Sequence, residues 1–331
     1  MNEVLGTEVK GAGMGVFLRL FRNLMKRPEL FSFFGLVLLS VLMIFVSDRF
    51  LTADNINNIA RQISINAIIA VGMTFVILTG GIDLSVGSVM ALSGTICAGL
   101  MVQGVPVSFA IAGGILVGIV IGAVSGTLVA FGRMPSIIVT LAMMEIPRGI
   151  ALIYTNGYPI SGLPDEFAFI GRGDVFGVFT PIIIMAVVYV LAYLLLSKWP
   201  FGRYVYAIGG NEEAARLSGI RVKKYKLSVY VISGFTAAVS GIITSSRLMS
   251  GQANSGVGFE LDAIAAVVLG GTDIAGGRGH IIGTIIGAIM LGVLNNGLNL
   301  MGVSPYLQRI IKGVIIIVAI LVSSTRNRKK S

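Results

Sequence analysis

The amino-acid sequence predicts an all-α, polytopic integral membrane protein with about ten transmembrane helices. Apolar residues make up 55% of the 331 residues and charged residues only 12%, which is too little charge to cover the surface of a soluble domain. The 44 glycines suit the close approach of helices in a bilayer. In addition, the apolar residues fall into ten runs, most of them close to the ~20 residues that cross the hydrocarbon core.

The ten predicted spans follow one another along the chain, between a basic N-terminal segment and a basic tail. They cover residues 30–47, 57–79, 84–101, 107–131, 136–155, 179–197, 226–246, 259–273, 280–299 and 306–323. Two are weaker than the others, because 57–79 begins with polar residues and 259–273 is short and carries two acidic residues. The predicted organisation is therefore a cytoplasmic segment (1–29), a transmembrane domain (30–323) and a cytoplasmic tail (324–331).

The distribution of basic residues predicts that both termini face the cytoplasm. With this N-in/C-in orientation, eighteen Lys and Arg residues lie on the inner side and seven lie at the outer ends of spans. The same bias explains the formal net charge of +10, so the expected surroundings are a lipid bilayer and no nucleic acid.

A faint internal similarity is compatible with a 5+5 inverted repeat of spans. One Gly-Gly-Pro pattern recurs 170 residues later, in a loop on the opposite side of the predicted membrane. Its members are Gly122, Gly132 and Pro135, then Gly292, Gly302 and Pro305. Because glycine is common in this chain, chance recurrence is the alternative.

The chain lacks the residues that the usual catalytic sites require. It contains no Gly-Lys dipeptide and therefore no Walker A phosphate-binding loop. Cys97 is its only cysteine and His280 its only histidine, too few for a metal site or a catalytic triad. Ionisable residues at membrane depth lie near span ends, and Glu145 and Arg148 are spaced to neutralise each other. The sequence predicts neither an enzyme nor a cofactor.

The largest predicted internal loop, 198–226, contains the signals of a short, well-capped helix. Asn211 suits the N-cap, Glu212 and Glu213 suit the first turn, and Gly219 suits the left-handed position after the last turn. Its predicted apolar contact surface is Ala214, Ala215, Leu217 and Ile220. Since so short a helix is marginal in water, we expect it to dock on a partner. The alternative is a helix that rests on its own membrane domain.

Five stretches of the chain carry a family resemblance, in the order 71–88, 154–157, 207–220, 260–272 and 294–300. The third, which reads AIGGNEEAARLSGI, resembles the coupling loop of sugar-importer permeases of the ATP-binding-cassette class, within the branched-chain amino acid and monosaccharide importer family. The other four agree with the same family.

This resemblance implies a permease subunit in the bacterial inner membrane that imports a monosaccharide, with ribose as the expected sugar. The implied partners are a second permease copy, a cytosolic ATPase subunit that hydrolyses the ATP, and a periplasmic or lipid-anchored sugar-binding protein. The helix over 211–219 is implied to sit in a groove of the ATPase. The alternative function is a secondary sugar carrier or channel without an ATPase partner.

Polar residues inside or near the predicted spans are candidates for two further roles. The candidates to line a sugar path are Asn66, Thr74, Asn295, Asn296 and Asn299. For these, hydrogen bonding between helices is the alternative use. The candidates to contact the binding protein through charge are Asp165, Glu166, Arg172, Asp174 and Arg247. For these, the alternative is an ordinary solvated loop charge.

Overall fold

The computed structural model describes residues 28–328, which form thirteen α-helices, one 3₁₀ turn and one short hairpin. Nearly all of the predicted N-terminal segment and the last three residues of the predicted tail lie outside the described residues. The elements are α1 (Pro28–Val46), α2 (Ala53–Leu78), α3 (Val86–Val102), α4 (Val107–Ala130), α5 (Ser136–Thr155), a 3₁₀ turn (Asp165–Phe167), α6 (Ala168–Arg172), β1 (Asp174–Val175), β2 (Val178–Phe179), α7 (Thr180–Ser197), α8 (Pro200–Gly210), α9 (Glu212–Leu217), α10 (Val222–Leu248), α11 (Phe259–Leu269), α12 (Ile281–Leu300) and α13 (Pro305–Arg328).

Each of the ten predicted spans coincides with a helix, and six of these helices are long and apolar enough to cross a membrane. The six are α2, α4, α5, α7, α10 and α12. Helix α3 and the described part of α1 are apolar but shorter. Helix α11 has eleven residues, about 16 Å of helix. The chain is thus an all-α, multi-pass membrane protein, and the count of ten crossings remains a prediction.

Helix α10 is the centre of the bundle, and it packs against α2, α3 and α4. Glycines make the closest crossing with α4. A Cβ at Gly118 would lie 2.4 Å from the Gly234 carbonyl oxygen, and one at Gly234 would lie 2.1 Å from that of Gly118. Both distances are shorter than any ordinary contact, so only glycine permits this crossing.

Helix α2 is enclosed by its neighbours along its second half, where every residue over 67–78 is buried. Side chains from neighbouring helices bond to its backbone. The Tyr189 hydroxyl of α7 donates to the Ala67 carbonyl (3.2 Å), and the Ser240 hydroxyl of α10 donates to the Ile65 carbonyl (3.1 Å). A stretch that is apolar on all sides is buried in a packed core or in a membrane, and here neighbouring helices cover it.

After α10, the segment 249–258 turns back into the protein, and α11 begins where this segment ends. Its path follows α3, because a Cβ at Gly251 would lie 2.6 Å from Ala98 Cβ and one at Gly256 would lie 2.7 Å from the Gly87 carbonyl oxygen. Arg148 of α5, which the sequence predicts to neutralise Glu145, donates hydrogen bonds to the carbonyls of Ala253 and Ser255. These bonds satisfy backbone carbonyls that no helix satisfies.

Candidate functional site

Helix α9 forms where the sequence predicts it, with the predicted caps. The Asn211 Oδ1 atom accepts a hydrogen bond from the Ala214 amide (2.9 Å), and Gly219 adopts a left-handed φ of +83°. Arg216 pairs with Glu213 at 2.5 Å, and its guanidinium holds the pKa of the Glu213 carboxyl below its ordinary value. Lys226 of α10 pairs with Glu212, also at 2.5 Å. The helix is therefore capped at both ends and tied to the start of α10.

One face of α9 packs on its own chain and the other faces outward. Ala215 is buried in a small cluster with Ile208 of α8 and Val222 of α10. Leu217 is 78% exposed, and Ala214 is exposed as well. The sequence left two alternatives open, a helix that docks on a partner and a helix that rests on its own membrane domain. The structure contains features of both. Ala215 anchors the helix to the protein, while Leu217 and Ala214 are available to a partner.

Helix α8 lies in a segment that the sequence predicts as loop, and it connects α9 to the end of α2. A Cβ at Gly209 would lie 1.8 Å from the Leu78 carbonyl oxygen and 2.4 Å from the Gly277 amide. The Gly277 amide also donates to the Leu78 carbonyl at 3.0 Å. Contacts this close allow little independent movement of α8 against the end of α2. Pro200 at the start of α8 is the sequence signal that could have indicated it.

The turn between α2 and α3 is fixed by a buried carboxylate that is absent from the predicted site residues. Asp83 accepts hydrogen bonds from the Ser85 amide (3.0 Å), the Ser85 hydroxyl (2.5 Å) and the Ser233 hydroxyl (2.7 Å). The last bond joins the turn to the central helix α10. Asp83 lies in one of the stretches that carry the family resemblance, which is the sequence signal that could have indicated it.

Two of the five predicted path residues share a cavity. Asn66 of α2 and Asn295 of α12 both line an opening of about 240 Å³, which we call the outer cavity because the predicted orientation places it on the outer side. Its lining residues come from five helices and are Gln62, Ile65, Asn66, Thr244, Arg247, Leu248, Phe259, Asp262, Asn295 and Lys312.

The other three predicted path residues do not line this cavity, and each has a partner. The Thr74 hydroxyl is buried and bonds to that of Thr284 (2.8 Å). Asn296 and Asn55 exchange two amide hydrogen bonds (2.7 and 3.0 Å). Asn299 is exposed and accepts from Gln308 (2.8 Å). All three pairs join helices, which is the alternative use that the sequence left open.

The five predicted contact residues lie on two segments, one around α6 and the other at the end of α10. Asp165 and Glu166 are exposed in the 3₁₀ turn, and Asp174 opens the hairpin. The Arg172 guanidinium donates to the Arg247 carbonyl (2.7 Å), so the loop is attached to α10. The Arg247 side chain is half-buried and lines the outer cavity, whereas the other four face solvent.

Comparison with known proteins assigns the chain to a family. Residues 55–320 match the family described as branched-chain amino acid transport system / permease component. The chain belongs to this permease family. It is 49% identical to the ribose import permease protein RbsC of Haemophilus influenzae, over 90% of this chain and 94% of that protein.

Two further relatives show how the similarity varies within this permease family. The ribose import permease protein RbsC of Bacillus subtilis is 49% identical, over 92% of this chain and 94% of its own. The D-allose transport system permease protein AlsC of Escherichia coli is 39% identical, over 82% of this chain and 84% of its own. No solved structure matches the chain.

Proposed function

We propose that this chain is the permease subunit of an ATP-binding-cassette importer that moves ribose across the bacterial inner membrane into the cytoplasm. The observation that carries the proposal is the 49% identity to ribose import permeases over nine-tenths of the chain, against 39% to the D-allose permease. The chain is a transport subunit, and ATP is hydrolysed on a separate subunit.

The proposed contact with the ATPase is the outward face of α9. Its support is the exposed Leu217 and Ala214 on a helix that is capped at both ends and anchored by Ala215. The face also includes Asn211, Glu212, Glu213 and the Gly219 turn. Closure of the ATPase around ATP would shift the permease between two states through α9, α8 and the end of α2, which are in close contact.

The proposed assembly contains a second permease copy and a periplasmic or lipid-anchored sugar-binding protein. Asp165, Glu166, Arg172 and Asp174 are the proposed charged contacts with the binding protein. Charges on an exposed loop mainly raise the rate of association, so their effect would depend on salt. Arg247 has a second use open to it, since its side chain lines the outer cavity.

The proposed topology has ten crossings with both termini inside, a 5+5 inverted repeat, and a permease domain over 30–323. The domain is flanked by cytoplasmic segments 1–29 and 324–331, and 198–226 is its coupling loop. Support for the orientation comes from the start of α1, where Ser32 donates a hydrogen bond to the Leu269 carbonyl at the end of α11. The turn that follows α11 contacts the ends of α2 and α8. These ends lie on the same side of the bundle as α9.

Uptake of labelled ribose tests this function. The chain is expressed with the ATPase and binding protein of its own organism in a bacterium that lacks ribose import. We expect ribose uptake that stops when ATP is depleted and that continues when only the proton or sodium gradient is collapsed. Uptake that follows the ion gradient, or that needs no ATPase subunit, would instead support the alternative of a secondary carrier or channel.

A further inference from the structure

We propose that the outer cavity is a binding site for one neutral monosaccharide, held by Asn66, Asn295 and Thr244 on its way through the permease. The inference rests on the proposed function and adds where within the chain the sugar is held. The cavity lies between α2, α10, α11, α12 and α13.

The cavity contains buried polar atoms that have no partner. The Oδ1 atoms of Asn66 and Asn295 and the Oγ1 atom of Thr244 make no hydrogen bond within the part of the chain that the structure describes. Asn295 as a whole is only 7% exposed. Buried polar atoms are nearly always hydrogen-bonded, and three residues with such an unpaired atom line this one cavity. The neighbouring Asn296, in contrast, exchanges two hydrogen bonds with Asn55.

The chemistry of these groups matches the hydroxyls of a sugar. An amide oxygen accepts a hydrogen bond and a threonine hydroxyl both donates and accepts, while each sugar hydroxyl offers both functions. Ile65, Leu248 and Phe259 supply apolar wall for the carbon framework. At about 30 Å³ per water molecule, the cavity holds the equivalent of roughly eight waters. This is space for a single monosaccharide.

Of the three charged residues that line the cavity, two compensate each other. Lys312 and Asp262 form an ion pair at 3.0 Å, so their charges compensate each other. Arg247 can donate hydrogen bonds to hydroxyl oxygens. On the inner side of the cavity, α2 is buried over 67–78. A sugar in the cavity would therefore stand on the outer side of the packed part of the bundle.

The test is protection of a cysteine placed at the cavity wall. Leu248→Cys is introduced into the full chain with Cys97→Ala, and its reaction with a membrane-impermeant thiol reagent is measured at rising concentrations of D-ribose. We expect ribose to slow this reaction. The reaction of a control, Leu307→Cys, which lies outside the cavity, should not change with ribose. Adding Asn295→Leu should raise the half-protecting ribose concentration about three- to tenfold, the effect of one hydrogen bond. Asn299→Leu, one helical turn away, should leave the half-protecting concentration unchanged.

Three results would overturn the site. The first is absence of protection in a protein that still imports ribose when assembled with its ATPase and binding protein, which would leave the proposed function standing. The second is stronger protection by ribose 5-phosphate than by ribose, which would mean that the site prefers an anion to a neutral sugar. Equilibrium dialysis of labelled ribose against the wild-type and Asn295→Leu proteins gives a second readout. Equal binding by the two would also contradict the proposal.

Discussion

At the residue scale, neighbouring asparagines of α12 have different uses. Asn296 exchanges two hydrogen bonds with Asn55, whereas the Oδ1 atom of Asn295 has no partner among the described residues. The sequence groups Asn295, Asn296 and Asn299 as equivalent candidates, because residue type and helical spacing are all it offers. What separates them is the partner, and the partner of Asn296 lies 241 positions away in the chain. Such long-range pairing cannot be predicted from local pattern.

Asp83 provides the first prediction at this scale. Asp83→Ala would leave the Ser85 amide, the Ser85 hydroxyl and the Ser233 hydroxyl without their acceptor. Because these donors are buried, we expect a loss of about 1–3 kcal/mol of stability. Asp83→Asn keeps an acceptor oxygen and should therefore lose less stability than Asp83→Ala. The measurement is thermal unfolding of the purified protein in detergent.

The matched control is Asp174→Ala. Asp174 is exposed on the hairpin and accepts from only the Gly177 amide (3.2 Å) among the described residues. The Asp174→Ala variant should change the unfolding temperature far less than Asp83→Ala does. Equal effects of the two variants would mean that the Asp83 carboxylate does not hold the turn to α10.

At the element scale, the helices were easier to predict than their contacts. The caps of α9 were predicted because Asn211, Glu212, Glu213 and Gly219 act within the helix and its two ends. That Ala215 packs inward while Leu217 faces outward depends on Ile208 and Val222, which belong to other helices. Helix α8 was missed because it has only eleven residues, four of which are proline or glycine. Helix α11 ends at Leu269, four residues before the predicted end, where two successive glycines terminate it.

The crossing of α4 and α10 gives a prediction about packing. In Gly234→Ala the new Cβ would lie 2.1 Å from the Gly118 carbonyl oxygen, so the two helices must separate. We expect a loss of about 1–3 kcal/mol, the usual cost of overpacking. Gly149→Ala is the control, since nothing lies within 4 Å of its Cβ and helix propensity favours alanine by ~1 kcal/mol. Comparable unfolding temperatures for the two variants would contradict the close crossing.

The outward face of α9 gives a prediction about transport. Leu217 is exposed, so Leu217→Glu should leave the fold and the amount of protein in the membrane unchanged. A charge placed in an apolar contact is costly, and we expect at least about a tenfold loss of ribose uptake. Leu51→Glu makes the same change at an exposed leucine between α1 and α2, outside every proposed contact, and it should leave uptake unchanged. Normal uptake by Leu217→Glu would exclude this face from the contact with the ATPase.

At the scale of the whole molecule, composition was sufficient for the fold class. A chain with 55% apolar and 12% charged residues can be stable only where lipid covers most of its surface. The family resemblance from 71–88 to 294–300 agrees with the match over 55–320. The re-entrant path of 249–258 was not predicted, because it depends on Arg148 and on glycines of α3 that are remote in sequence.

The assembly with an ATPase is the central claim at this scale, and one measurement tests it most directly. The chain is tagged, co-expressed with the ATPase and binding protein of its organism, purified in mild detergent and assayed for ATP hydrolysis. We predict that a cytosolic ATPase subunit co-purifies with the wild-type chain, and that subunit and activity are both lost with Leu217→Glu. A stable, monodisperse chain that retains no ATPase in any detergent, yet still carries ribose, would contradict this assembly.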